Sequence, residues 1–261
     1  MRNDKGYTPM MLFYKAWRES KARFLFSAAA LVALCLIIVL FQSQIREGRD
    51  FMPWSQRSSY SQLIYGFIYG SGHGMFLVII VPFLGLGGLL REKVRGTSNF
   101  TLSLPTTRRH ILATHVAVGL LEVALLALIP ALLVPTLSPL VRQNYPISQA
   151  LHFSVLWFVC GAVVFAASFF FSAMLRGEYS AMVACVIALG VEDFLTGPSL
   201  TNYLYRWKIS WIANEFGTMH WDPKHQQLLS GPLPWISLLT FVLVTLMLFA
   251  ATFRISQRQD L

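Results

Sequence analysis

Few residues of this chain could do chemistry, and most of those stand inside apolar runs. His115, Gly119 and Glu122 recur at i, i+4 and i+7 of the run Ile111–Leu137, so a helix there places them on one stripe, with Glu122 near its middle. An ionisable group at such a depth costs about 3 kcal/mol unless it is paired or hydrated. Two roles suit Glu122. It could line a polar path or a subunit seam, or it could accept a hydrogen bond from a Ser, Thr or His of a neighbouring helix and only fix how the two pack. Glu192 and Asp193 close another apolar run, Ala181–Leu195, where a charge near the aqueous boundary is cheap. His115, Glu122 and Glu192 are the candidate intramembrane polar path, and no catalytic residue or metal ligand is assigned.

Other chemistry is excluded by pattern. No Gly is followed by Lys, so the phosphate-binding P-loop is missing, and no H-E-x-x-H zinc helix occurs. Gly70-Ser71-Gly72-His73-Gly74 lacks the G-x-S-x-G spacing, and Ser71 and His73 would point to different faces of a helix. Cys35, Cys160 and Cys185 all fall inside apolar runs, which indicates neither a disulfide framework nor a zinc site.

The elements that must position these groups are membrane spans. Of the 261 residues, 55% are hydrophobic and only 13% charged. Residues 1–23 hold a basic, aromatic segment whose Met10, Phe13, Tyr14 and Trp17 recur at helical spacing, as in a helix lying in the membrane interface. Thr8-Pro9 is a plausible start for it. Six spans follow, at about 24–41, 63–90, 111–137, 151–175, 181–195 and 235–253. The first lacks a small-residue cleavage site and reads as a retained span. The second is too long for a bilayer and must tilt, bend or protrude, and its Gly66, Gly70 and Gly74 are spaced to let another helix come close. Pro130 and Pro135 are expected to break the third span toward its far end. The fifth is short, and residues 196–234, rich in Tyr and Trp, read as a re-entrant or interfacial helical hairpin that completes its crossing. The fold class expected is therefore an all-α integral membrane protein of one domain, residues 1–261.

The formal charge of +9 does not point to nucleic acid, because the Lys and Arg residues sit between spans. With six spans, fourteen of them fall on the side of both termini and seven on the other, which places both termini in the cytoplasm of a multi-pass protein. The most basic segment between two spans is 91–110, with Arg91, Lys93, Arg95, Arg108 and Arg109. Gly96 can end the preceding helix, and Thr97 or Ser98 can cap a very short one carrying Phe100, Leu102 and Leu104. Pro105 closes it, and Thr106 or Thr107 can cap the next span. A short, Arg-rimmed helix between two spans suits docking to another protein; a positively charged loop that merely sets topology fits the same spacing.

Arg91-Glu92-Lys93-Val94-Arg95-Gly96 followed by Leu102-Ser103-Leu104-Pro105-Thr106-Thr107-Arg108-Arg109 is similar to the R-E-x-x-x-G and L-S-L-P-x-[ST]-R-R pattern of one membrane family. With the six-span layout, the chain resembles the permease subunit of type-2 ABC transporters, in exporters whose ATPase is a separate polypeptide. Gly119-Leu120-Leu121-Glu122 is similar to a G-L-L-E run of their third span. The resemblance implies a non-catalytic subunit at the inner (plasma) membrane, paired with a second permease subunit, either identical or a paralogue. It implies a partner ABC ATPase that holds ATP and Mg, with no cofactor in this chain. It makes 97–104 a coupling helix, and assigns Arg91, Glu92, Arg95, Gly96, Thr97, Ser98, Phe100, Leu102, Leu104, Pro105, Arg108 and Arg109 to ATPase coupling. The alternative is an ion-coupled secondary transporter or channel that uses Glu122 and Glu192/Asp193.

Overall fold

The computed structural model describes residues 9–47, 59–70, 80–85, 108–175, 180–195, 209–213, 219–222 and 227–258. It is built of helices: α1 (Pro9–Leu40), α2 (Gln42–Glu47), α3 (Tyr60–Ile64), α4 (Arg108–Leu137), α5 (Ile147–Met174), α6 (Ser180–Leu195), α7 (Ile209–Ala213) and α8 (Trp235–Arg258). Among the described residues, four stretches are long and apolar enough to cross a membrane: Met10–Leu40, Arg109–Val141, Ile147–Met174 and Trp235–Gln257. That fits a multi-pass membrane protein.

α5 is the hub. It packs against α4, α6, α7 and α8, while α1 lies along α4. Phe153, Leu156, Cys160, Val164 and Ala166 are fully buried, so most of this helix is covered by its neighbours, while Leu151, Val155 and Phe158 leave one apolar stripe exposed. α1 and α8, at the periphery, turn Leu25, Phe26, Ile236, Leu243 and Met247 outward, as lipid-facing helices do.

The first expectation to be revised is the flat interfacial helix. Its residues and span one form a single helix from Pro9 to Leu40. Nothing between residues 10 and 40 interrupts a helix, for neither Gly nor Pro occurs there. At 1.5 Å per residue such a helix is about 48 Å long, well beyond a hydrocarbon core of about 30 Å. Its basic first turns therefore prolong the span. Pro9 is the first helical residue, as expected, and Thr8 lies outside the described residues.

Span two does not run unbroken. Its helix starts earlier, at Tyr60, where Ser59 and Gln62 form a reciprocal cap: Gln62 N donates to Ser59 Oγ (3.3 Å) and Ser59 N to Gln62 Oε1 (3.0 Å). Residues Tyr65–Tyr69 then widen into a π-turn, and Gly70 leaves it in an extended conformation after donating its N–H to Tyr65 O. Residues 80–85 are helical again.

Pro130 and Pro135 do not break the third span; α4 passes through both. Hydroxyls supply hydrogen bonds in this stretch. Ser154 of α5 donates to Ala127 O (2.7 Å), Thr136 to Leu132 O (2.7 Å) and Ser138 to Val134 O (2.6 Å). The chain turns at a 3-10 segment, Ser138–Val141, with Arg142 in the left-handed region (φ 56°).

Where a helical hairpin is expected between residues 196 and 234, the described residues form one helical turn, α7, and a two-stranded antiparallel ladder. Strands β1 (His220–Asp222) and β2 (Gln227–Leu229) pair His220 with Leu229. α6 and α8 are helices at the residues expected, 181–195 and 235–253, α8 starting at Trp235, which stands exposed at the helix end.

The close glycine approaches also lie elsewhere than expected. Among the described residues, a methyl group added at Gly66 would meet nothing within 4 Å, and one at Gly70 would meet only its own segment, Tyr65 O at 2.9 Å. Gly74 lies outside the described residues. The tight seams are at Gly119, where a side chain would overlap the Phe165 ring, and at Gly85, where it would come within 2.7 Å of Ser168 Oγ. Overfilling a seam of this kind costs about 1–3 kcal/mol. Gly119→Ala is therefore expected to lower the unfolding temperature of the detergent-solubilised protein by several degrees, whereas Gly66→Ala changes the stability by no more than about 1 kcal/mol and does not lower that temperature comparably. Equal effects of the two substitutions would refute the assignment of the seam.

Candidate functional site

Glu122 is the one acidic side chain among the described residues that is wholly enclosed, with 0% of its surface exposed. α4 carries it toward α1, where Ser20 Oγ donates a short hydrogen bond to Glu122 Oε1. Ser20 also reaches the carbonyls of Ala16 (3.2 Å) and Trp17 (3.3 Å), so its hydroxyl rests against its own helix as it bonds across. The sequence supports this contact locally. Ala16, Ser20 and Ser27 are small residues at helical spacing, and they give α1 a narrow, buried face toward α4.

Around the carboxylate lies a cavity with about 30 Å³ open to water-sized molecules. Its polar wall is Glu19, Ser20 and Arg23 from α1 with His115 and Glu122 from α4; its apolar wall includes Leu84, Phe165 and Phe169. Arg23 is held in place by donating Nη1–H to Phe83 O (3.0 Å), and Glu19 lies 4.0 Å from Lys15 one turn earlier. Gly119 leaves room for the Phe165 ring at the cavity floor, and Gly85 does the same for Ser168, whose hydroxyl donates to Pro82 O (2.9 Å). Four chain segments thus meet at one buried carboxylate.

The structure brings together His115 and Glu122 but not Glu192. Glu192 Oε1 accepts the N–H of Ile209 at 3.0 Å, and Cys160 Sγ donates to Ile209 O at 3.8 Å. Glu192 therefore ties the end of α6 to the start of α7, as a carboxylate at a helix N-terminus does. The expected three-residue path is thus two separate arrangements, and the side chain of Asp193 lies outside the described residues. Residues 91–107, which hold Arg91, Glu92, Arg95, Gly96, Thr97, Ser98, Phe100, Leu102, Leu104 and Pro105, also lie outside them. Arg108 opens α4. Arg109, exposed beside it, donates to Gln257 Oε1 at 3.1 Å and ties the start of α4 to the end of α8.

Sequence reasoning missed Ser20, Arg23 and Glu19, because they precede the apolar run of α1 and read as an interfacial segment. Their signal is the stripe Ala16, Ser20, Arg23 and Ser27, visible once the helix is continuous.

No family model, no curated protein and no solved structure matches this chain.

Chemically, the arrangement can hold a carboxylate in a nearly dry place with one oxygen bonded, a guanidinium close by and an imidazole on the same wall. A hydrogen bond to a charged group is worth about 1.5–3 kcal/mol, and losing a partner leaves that group unsatisfied. Ser20→Ala is expected to destabilise the protein by roughly that amount. In the double variant with Glu122→Leu the cost of removing Ser20 should all but vanish, because the carboxylate it serves is gone. Unfolding in mixed micelles checks this, and additive costs would show that the two side chains do not act as a pair.

Proposed function

We propose that this chain is the membrane-spanning permease subunit of an ATP-driven exporter of the type-2 ABC class, with the ATPase on a separate polypeptide. The observation that carries this reading is the pattern Arg91-Glu92-Lys93-Val94-Arg95-Gly96 and Leu102-Ser103-Leu104-Pro105-Thr106-Thr107-Arg108-Arg109, which leads directly into α4. α4 is a 30-residue helix, a stiff rod about 45 Å long that can carry a push from its Arg108 end into the membrane.

Six passes suit the ties between elements. Tyr60 OH lies 2.7 Å from Ser138 Oγ, beyond the end of α4, whereas Pro82 O bonds Ser168, near the end of α5. α4 and α5 run antiparallel, with Ser154 against Ala127, so these two ties stand at opposite ends of the pair. That supports a pass between residues 60 and 85, and α6, 16 residues or about 24 Å long, supplies a short fifth. The Arg109–Gln257 bond then puts the C-terminal end of α8 beside the start of α4, and the charge bias assigns this side to the cytoplasm.

In this mechanism the chain breaks no bond. The partner ATPase binds ATP and Mg and closes; the coupling helix at 97–104 is displaced; α4 and the helices bound to it follow. A second permease subunit completes the cleft.

One observation favours a different class. Glu122 is a carboxylate enclosed among apolar helices and lining a cavity, and a buried acid of this kind is what an ion-coupled transporter or channel would use. Under that reading, vesicles holding this chain alone carry out transport driven by an ion gradient.

Purification from native membrane separates the two. The permease reading expects a nucleotide-binding protein in stoichiometric amount, lost on Phe100→Asp or Leu104→Asp while the chain itself still inserts. Retention of that protein at wild-type strength in both variants would overturn the coupling assignment. Gradient-driven transport by the isolated chain would overturn the ATP-driven one.

A further inference from the structure

We infer that the cavity between α1 and α4 is a water-binding site, in which a bound water donates to Glu122 Oε2 and gives the two helices a second link beside the Ser20 bond. Two independent observations support it. Oε1 of the enclosed carboxylate is occupied by Ser20, whereas Oε2, equally buried, has no protein hydrogen-bond partner. This carboxylate also lines a cavity whose open volume is about 30 Å³. A water needs roughly 10–15 Å³ on that measure, together with two to four polar partners. The walls supply these partners in Glu122, Ser20, Arg23, His115 and Glu19.

The chemistry selects water over the other small guests. A bare cation would need several oxygen ligands, and no group of three or more His, Cys, Asp or Glu placed to hold a metal ion occurs among the described residues. It would also sit beside the guanidinium of Arg23, which repels it. An anion would face two carboxylates, Glu19 and Glu122. An apolar guest would leave Oε2 unsatisfied. Water can donate to Oε2 and still accept from a guanidinium or imidazole N–H, so one small molecule answers both signs of charge in the wall.

A carboxylate held by one hydroxyl and one water has both oxygens bonded, so the water adds a second tie across the seam between the two helices. This inference concerns the α1–α4 joint and stands whether or not an ATPase drives the protein.

Radiolytic hydroxyl labelling of the full chain in lipid nanodiscs tests it, because radicals form from the water that is present and mark the nearest side chains. Phe165 and Phe169 line the cavity; Phe153, buried against Tyr65 and Tyr69, does not. The expected result is labelling of Phe165 or Phe169 severalfold above Phe153. Glu122→Leu should bring that labelling down to the Phe153 level, while Glu122→Gln, which keeps an acceptor in the same place, should retain most of it. The wild-type comparison needs no variant to fold. Equal labelling of Phe165, Phe169 and Phe153 in wild type would overturn the inference, and so would labelling that survives Glu122→Leu unchanged.

Discussion

A carboxylate enclosed by apolar helices must find a hydrogen-bond donor, and in this protein the donor is on another helix. Ser20 Oγ on α1 meets Glu122 Oε1 on α4, and that single requirement fixes how the two longest helices lie against each other. Ser20 must be small and close, Gly119 must be thin enough to admit Phe165, and residues 80–85 must come near enough for Phe83 O to hold Arg23. Replacing the pair by two apolar side chains of similar shape would remove the requirement altogether. Its presence therefore says more about a defined register than about raw stability.

The rest of the bundle is organised so that this register survives. α5 provides a largely covered core against which α4, α6 and α8 are laid, and its hydroxyls reach carbonyls of neighbouring segments: Ser154 to Ala127, Ser168 to Pro82. With no water in a bilayer core, such bonds replace those that water would otherwise make. A cluster of aromatic rings, Tyr69 stacked on Phe153 at 4.3 Å with Trp157 edge-on at 5.6 Å, closes another part of the α5 surface. Outward apolar side chains on α1 and α8 complete a body whose solvent is lipid.

Long unbroken helices matter to function for a mechanical reason. A helix transmits displacement along its axis, whereas a slack loop absorbs it. α1 and α4 both pass from a basic end into the apolar interior without interruption, and they are joined part-way along at Ser20 and Glu122. On the proposed reading, a force applied near Arg108 is thereby shared with α1, whose first turns by their sequence would otherwise lie apart on the membrane surface.

Apolar length and the absence of breakers are properties of the chain itself. This is why the sequence alone determined a helical membrane protein and the limits of α5, α6 and α8 within a few residues. It was also enough to single out Glu122 and to identify a bond from a neighbouring Ser, Thr or His as one of its two possible roles. It could not say which helix supplies that bond, nor at what depth. Read along its own run Ile111–Leu137, Glu122 stands mid-span; set against α1, it is level with Ser20, four residues before the apolar run that begins at Phe24. Only the register between two helices distinguishes these positions, and register is decided by contacts more than ninety residues apart in sequence, here between residues 20 and 122. The separation of Glu192 from the path, the exit of the chain from its helix at Gly70 and the shift of the tight glycine seams to Gly85 and Gly119 share that cause. Each depends on what stands opposite, which no local pattern of residues records.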